Sequence, residues 1–133
     1  MQKTIIAIVV VFVVWGVLDY VLHGLILTSS YASSSQLWRP MEEMNMVLIY
    51  IVTLVAAACF VYIYTALITD RSQKTALSYG LVFGLGAGIS MGYGSYAVMP
   101  IPYVMALAWF LWSILECLVG AWIAWAIVKR GAA

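Results

Sequence analysis

Four stretches of the chain are almost wholly apolar: Thr4 to Leu27, Met46 to Ile68, Ala76 to Val98 and Tyr103 to Val128. About 20 such residues, wound as helix, cross a bilayer core. The breaks between them are short. TSSYASSSQLWR (28–39) is the only loop of any length, TDRSQK (69–74) joins the second and third spans, and MPIP (99–102) joins the third and fourth. The pattern predicts an all-α protein: a four-helix transmembrane bundle, up-down-up-down, forming a single integral membrane domain over residues 1–133. The first run opens MQKTIIAIVV and could pass for a signal peptide cut near Tyr31-Ala32-Ser33. Its apolar region is too long for one and contains Asp19 and His23, so we read it as a mature helix.

The third span breaks the usual helix composition. In YGLVFGLGAGISMGYGSY (79–96), Gly80, Gly84, Gly88 and Gly92 recur at every fourth position. Glycine costs a helix roughly 1 kcal/mol against alanine. In lipid, however, helices associate by close packing, and small residues let two backbones approach. The series predicts a glycine zipper, a groove down one side of the helix that a partner must fill. Ala106, Ser113, Gly120 and Ala124 offer a matching small-residue stripe on the fourth span. Another subunit or an apolar ligand is the alternative occupant.

Composition sharpens this picture. The chain is 66% hydrophobic and 8% charged, with a mean hydropathy of +1.08, where a soluble domain carries about 25% charged residues. The net charge of +1 includes no basic patch, which excludes nucleic acid as a partner. Lys3, Arg71, Lys74, Lys129 and Arg130 fall on one side of the expected bundle and only Arg39 on the other. By the positive-inside rule both termini are cytoplasmic. Cys59 and Cys117 sit inside apolar runs, where cysteine is an inert small hydrophobe, and we assign them no role.

The residues that carry chemistry are the charges inside the spans. Asp19 and Glu116 lie within about one helical turn of the span centres. A charge at that depth costs about 2.5–3.5 kcal/mol on insertion scales and turns toward the bundle interior. Trp15-Gly-Val-Leu-Asp19 and Trp112-Ser-Ile-Leu-Glu116 share W-x-x-L-[D/E], either by chance or as the trace of an inverted repeat. His23 follows Asp19 by four residues, so both point to one helix face. We expect Asp19, His23 and Glu116 to form an interior ionisable cluster that shares a proton or gathers a cation, or else an Asp–His pair that only holds the bundle in register. Tyr50, Thr53, Ser90 and Tyr93 are the hydroxyls placed to bond the acids.

Six of the seven methionines, Met41, Met44, Met46, Met91, Met99 and Met105, fall in the outer half. Thioethers suit Cu(I), so His23 with Met41 and Met44 is a candidate copper or haem site. Methionine is also a flexible gap-filler, which is the plainer reading, and no cofactor is predicted. Trp38-Arg39-Pro40-Met41-Glu42-Glu43 reads as a helix start, with Pro40 in the first position, both glutamates in the first turn, Trp38 as an interfacial anchor and Arg39 paired to a glutamate. No H-E-x-x-H, C-x-x-C, nucleophile elbow or phosphate loop occurs, so no enzyme is expected.

The run WGVLDYVLHGLILTSSYASSSQLWRPMEEM (15–44) and the run MGYGSYAVMPIP (91–102) resemble small four-span bacterial membrane proteins that carry no assigned function. The resemblance implies an inner-membrane location and supplies no activity. The small multidrug transporters are similar in architecture only: their first-span acid is a glutamate, and the motif around it is missing here. Three functions are therefore expected in turn. One is a non-catalytic subunit packing through its glycine-rich helix as a homo-oligomer or within a larger membrane complex. The second is a proton- or cation-linked transporter using Asp19 and Glu116. The third is a metal or haem site at His23.

Overall fold

The computed structural model describes residues 1–129; Arg130, counted above among the cytoplasmic charges, lies outside the described residues. Every regular element among them is helical. Four helices are long and apolar enough to cross a membrane: α1 (Gln2–Ile26), α3 (Met46–Leu67), α4 (Gln73–Val98) and α5 (Tyr103–Lys129). The segment expected to be a loop is partly helical. Thr28–Ser33 forms a short helix, α2, followed by a 3₁₀ turn at Ser35–Leu37. Ser34 holds it folded, donating to the Ser30 carbonyl at 2.7 Å while accepting the Trp38 indole at 3.0 Å. Three of the long helices widen into π-helical turns, at Leu22–Ile26, Ile63–Leu67 and Ile89–Gly94.

The start of α3 differs from expectation. Met41–Glu43 is a separate 3₁₀ turn, and α3 begins after Asn45, whose side chain accepts the Leu48 amide at 3.0 Å. Asparagine satisfies an otherwise orphaned helix amide, which Pro40 cannot do. Arg39 pairs with neither Glu42 nor Glu43; the ion pair recorded among the described residues is His23–Asp19.

Helices α4 and α5 pack antiparallel and in close contact. An added Cβ on Gly80 would lie 2.6 Å from the Cys117 carbonyl oxygen, on Gly84 2.8 Å from the Ile114 Cα, and on Gly88 2.7 Å from the Phe110 carbonyl oxygen. Gly92 abuts the Ala106 carbonyl in the same way. The glycine groove is thus filled from within the chain, by Ala106, Phe110, Ser113, Cys117 and Ala121. Gly120 does not belong to this stripe. Gly120 faces α1, with the Trp15 indole about where its side chain would be, and Ala124 is buried in the core near the termini.

Helix α5 also packs against α1, and α1 against α3. Near the termini the four helices close around Val11, Trp15, Phe60, Val61 and Tyr64. Phe60 stacks on Tyr79 at 4.7 Å, and the Tyr79 hydroxyl donates to the Phe60 carbonyl at 2.7 Å, tying α3 to α4. A second core at the opposite end gathers Leu22, Leu27, Ile101, Met105 and Trp109 under α2 and Trp38. Helix α3 takes no part in it. From Met46 to Ala56 every residue of α3 except Thr53 is exposed, on all faces of the helix. The first α3 residue to be buried is Ala57.

The α3–α4 turn satisfies both helix ends. Arg71 donates to the Thr65 carbonyl at 2.5 Å and the Ile68 carbonyl at 3.0 Å, covering the carbonyls that α3 leaves open. Asp70 accepts the Ser72 amide and hydroxyl, each at 2.9 Å, and the Thr75 hydroxyl, while Ser72 caps α4. These bonds, Thr75 first, hold the Asp70 carboxyl below the usual carboxylate range.

Two predictions follow from the packing and the turn. Gly84→Ala should destabilise the bundle by about 1–3 kcal/mol through backbone displacement, whereas Gly86→Ala, at a position with nothing within 4 Å, should be neutral or stabilising; unfolding in mixed micelles reads both. Because the folded-state value of Asp70 is depressed, its contribution to stability is present at neutral pH and lost as pH falls through that depressed value. Asp70→Ala should therefore flatten the acid limb of thermal stability below about pH 4 relative to the unsubstituted protein.

Candidate functional site

Trp15 sets the geometry. Its indole N–H donates to the Glu116 backbone carbonyl at 2.8 Å, and its ring meets Phe60 of α3 at 5.2 Å. The face of α1 carrying Trp15 thus looks into the space between α3 and α5. Asp19 lies one turn further along that face, and His23 a second turn beyond. On this register the Asp19 and Glu116 carboxyl groups come to lie beside one another.

Asp19 and His23 are each 40% exposed at the side chain, because α3 has left the α1 face at this level. Nε2 of His23 stands 4.0 Å from Oδ1 of Asp19, within ion-pair range but too far for a hydrogen bond. Nδ1 lies 2.6 Å from the Tyr31 hydroxyl. Burial raises the Tyr31 phenol above its ordinary value, so it keeps its proton throughout the physiological range. With Tyr31 donating to Nδ1, the ring carries its proton on Nε2 and presents it to Asp19. Nδ1 is thus bonded by the Tyr31 hydroxyl, while Nε2 faces Asp19 beyond hydrogen-bond range.

Around this chain stand Trp38, Trp109 and Trp112. The Trp38 ring packs on Tyr31 at 5.2 Å and on Trp109 at 6.1 Å. Trp109 packs on His23 at 6.4 Å. The cluster holds several unsatisfied polar atoms. Oε1 of Glu116 and the indole nitrogens of Trp109 and Trp112 are buried without hydrogen-bond partners. Trp109 points its N–H toward the Tyr31 hydroxyl, and Trp112 toward the Glu116 carboxyl, without bonding either. Buried polar atoms are nearly always bonded, so such a concentration marks a place where groups rearrange or a ligand completes the set.

The hydroxyls expected to serve the acids lie elsewhere. Thr53 donates back to the Ile49 carbonyl at 3.2 Å, Tyr93 pairs with the Tyr103 hydroxyl at 3.1 Å, and Tyr50 and Ser90 are exposed on the helix surface. Tyr31, Trp109 and Trp112 take their place. The W-x-x-L-[D/E] echo was a usable signal for Trp112 and Trp15; nothing local marked Tyr31, which reaches His23 only because α2 folds back. Met41 is exposed and Met44 half-buried, both in the segment leading to α3, while Met105 is buried in the second core.

No family model matches the chain, and no curated protein or solved structure does. Its chemistry has to be read from the site itself.

Removing the indole donor tests the register. Trp15→Phe keeps the ring against Phe60 and loses the bond to the Glu116 carbonyl, which should cost about 1–2 kcal/mol. Disulfide trapping between cysteines placed at 19 and 116 should become slower in that background.

Proposed function

We propose that the protein is an integral protein of a bacterial inner membrane, with four spans running up-down-up-down and both termini cytoplasmic, that couples a proton to the movement or binding of a cation. The observation that carries this reading is the meeting of Asp19 and Glu116 at membrane depth, with one carboxylate oxygen left unbonded. Two carboxyls in contact in a low-dielectric setting hold one proton between them, because like charges at that distance cannot both ionise. The pair titrates as a unit. A cation arriving at the pair competes with that proton, and this competition is the basis of coupled exchange.

Tyr31 and His23 give the proton a route. If Asp19 takes the proton and closes the 4.0 Å gap to Nε2, its O–H donates there and the Nδ1–H turns to Tyr31; the reverse arrangement returns it. Tyr31 lies in α2, outside the spans, at the end that the charge bias puts on the outer face. The proposed exchange therefore communicates with the outer side.

An accessory-subunit role has one supporting observation, the all-round exposure of α3 from Met46 to Ala56. It no longer draws on the glycine helix, whose packing face is occupied by α5.

The test is infrared spectroscopy of the purified protein at neutral pH. A protonated carboxyl C=O band should be present, vanish in Glu116→Gln and shift in Asp19→Asn. In proteoliposomes both variants should lower cation-driven proton flux at least tenfold while assembly is unchanged. Two fully ionised carboxylates, with no such band, would overturn the reading.

A further inference from the structure

We propose that the outer face of α4, at the end of the bundle near the termini, is a binding site for an anionic diacyl phospholipid of the adjoining leaflet. The site shares no residue with the cluster at Asp19 and Glu116 and does not draw on the proton-linked reading. Two open grooves flank this face. One, of about 500 Å³, is lined by Gln73, Lys74, Leu77, Ser78 and Leu81 of α4 and by Leu118 of α5. The other, of about 420 Å³, lies toward α3 and is lined by Ile68, Thr75, Ser78, Tyr79, Val82 and Phe83. Ser78 is common to both, a small residue on the ridge between them.

The polar groups of the face are graded with depth. Lys74 heads the first groove, at the end where Lys3 and Lys129 also lie, since Ala7, Ala76 and Ala124 share the core there. Its ammonium makes no ion pair among the described residues. Asp70, the acid of the same turn, is held by Ser72 and Thr75, and Thr75 lines the second groove. Arg71 is committed to the Thr65 and Ile68 carbonyls. An anionic headgroup therefore settles over Lys74 and away from Thr75. Ser78 lies one turn deeper, about 6 Å along the helix, a distance comparable with the headgroup layer of one leaflet. Thr53, Thr65 and Ser113 return their hydroxyls to the carbonyl four residues earlier, whereas Ser78 makes no hydrogen bond among the described residues. A free hydroxyl at that depth calls for an acceptor, because water no longer supplies one. Beyond Ser78 the linings are apolar, Leu81 and Leu118 in one groove, Val82 and Phe83 in the other.

A cation, a hydroxyl below it and two apolar grooves below that match the phosphate, ester carbonyl and paired chains of one diacyl phospholipid. A single-chain lipid fills one groove, and a free phosphate ester fills neither. A zwitterionic lipid brings its own ammonium to Lys74. Phosphatidylglycerol brings a net negative charge, which complements the cations gathered at this end.

The experiment is native mass spectrometry of the full chain released from mixed micelles. The probes are dioleoylphosphatidylglycerol, dioleoylphosphatidylethanolamine, single-chain lysophosphatidylglycerol and glycerol phosphate. The first should bind saturably, about fivefold tighter than the ethanolamine lipid, with the lysolipid weaker and glycerol phosphate unbound. Lys74→Gln should bring the first down to the ethanolamine level. Lys3→Gln, which removes a cation at the same end but outside both grooves, should leave it unchanged. Ser78→Trp, on the ridge, should weaken both diacyl lipids. Lys74 and Ser78 are exposed, so neither variant should move the unfolding transition in lipid-free micelles. Equal affinity for the two diacyl lipids, equal losses in Lys74→Gln and Lys3→Gln, or binding untouched by Ser78→Trp would each overturn the proposal. So would a lysolipid that binds as tightly as the diacyl lipid, or glycerol phosphate that competes with it.

Discussion

The indole of Trp15 reaches the Glu116 carbonyl only because residue 120 has no side chain, since a Cβ there would sit 3.0 Å from the indole nitrogen. This contact fixes how α1 slides along α5, and that offset decides which groups meet. Helices that cross in lipid gain nothing from burying apolar surface away from water, so a directional bond and a shape fit carry more of the register than in a soluble bundle. With Trp15 seated at Glu116 and Gly120, the next turn of α1 brings Asp19 to the Glu116 side chain, and the turn after that brings His23 to Trp109. The acids meet as a consequence of an uncharged contact one turn below them.

The α4–α5 contact plays a complementary part. It leaves α5 with one face committed to glycines 80, 84, 88 and 92 and the other free for α1. Helix α3 has neither kind of anchor. It is held by Phe60, Val61 and Tyr64 near the termini and by Arg71 on its last carbonyls, and it is unpacked beyond Ala57. A bundle built with one strong hairpin, one registered helix and one helix pinned at a single end opens where that last helix is loose. The carboxyl pair lies at that level.

Much of this was legible in the residues. Apolar run lengths located the long helices, with α4 beginning at Gln73 instead of Ala76. The four-residue glycine spacing pointed to a close helix partner, and the intramembrane acids pointed to the site. What was not legible depends on azimuth and on chain reversal. The partner stripe on α5 was assigned to Ala106, Ser113, Gly120 and Ala124; Ala106 and Ser113 do line the glycines, together with Phe110, Cys117 and Ala121, whereas Gly120 faces α1, because a small residue marks a close approach without saying which neighbour makes it. Tyr31 was hidden because a serine-rich segment was read as a loop. In fact Ser34, bonded to both Ser30 and Trp38, folds that segment onto the bundle. Tyr50 and Thr53 were placed by depth alone, and depth does not show that α3 has turned away.

The same arrangement constrains how a carrier of the proposed kind would reach its second side. Below the acids the path is shut by Trp15 on Phe60 and by Phe60 on Tyr79, and two of the bonds in that layer end on backbone carbonyls, those of Glu116 and Phe60. The Glu116 carbonyl belongs to the residue whose side chain would hold the proposed shared proton. A change in what the carboxyl binds would therefore act on the residue that anchors Trp15, and Trp15 closes the layer below the acids against Phe60. On the proposed reading, charge at the pair and closure of the layer below it are joined through one residue. A ligand moves such an equilibrium only by its difference in affinity for the two states. In this bundle that difference would arise where Glu116 meets Asp19 on one side of its own peptide unit and Trp15 on the other.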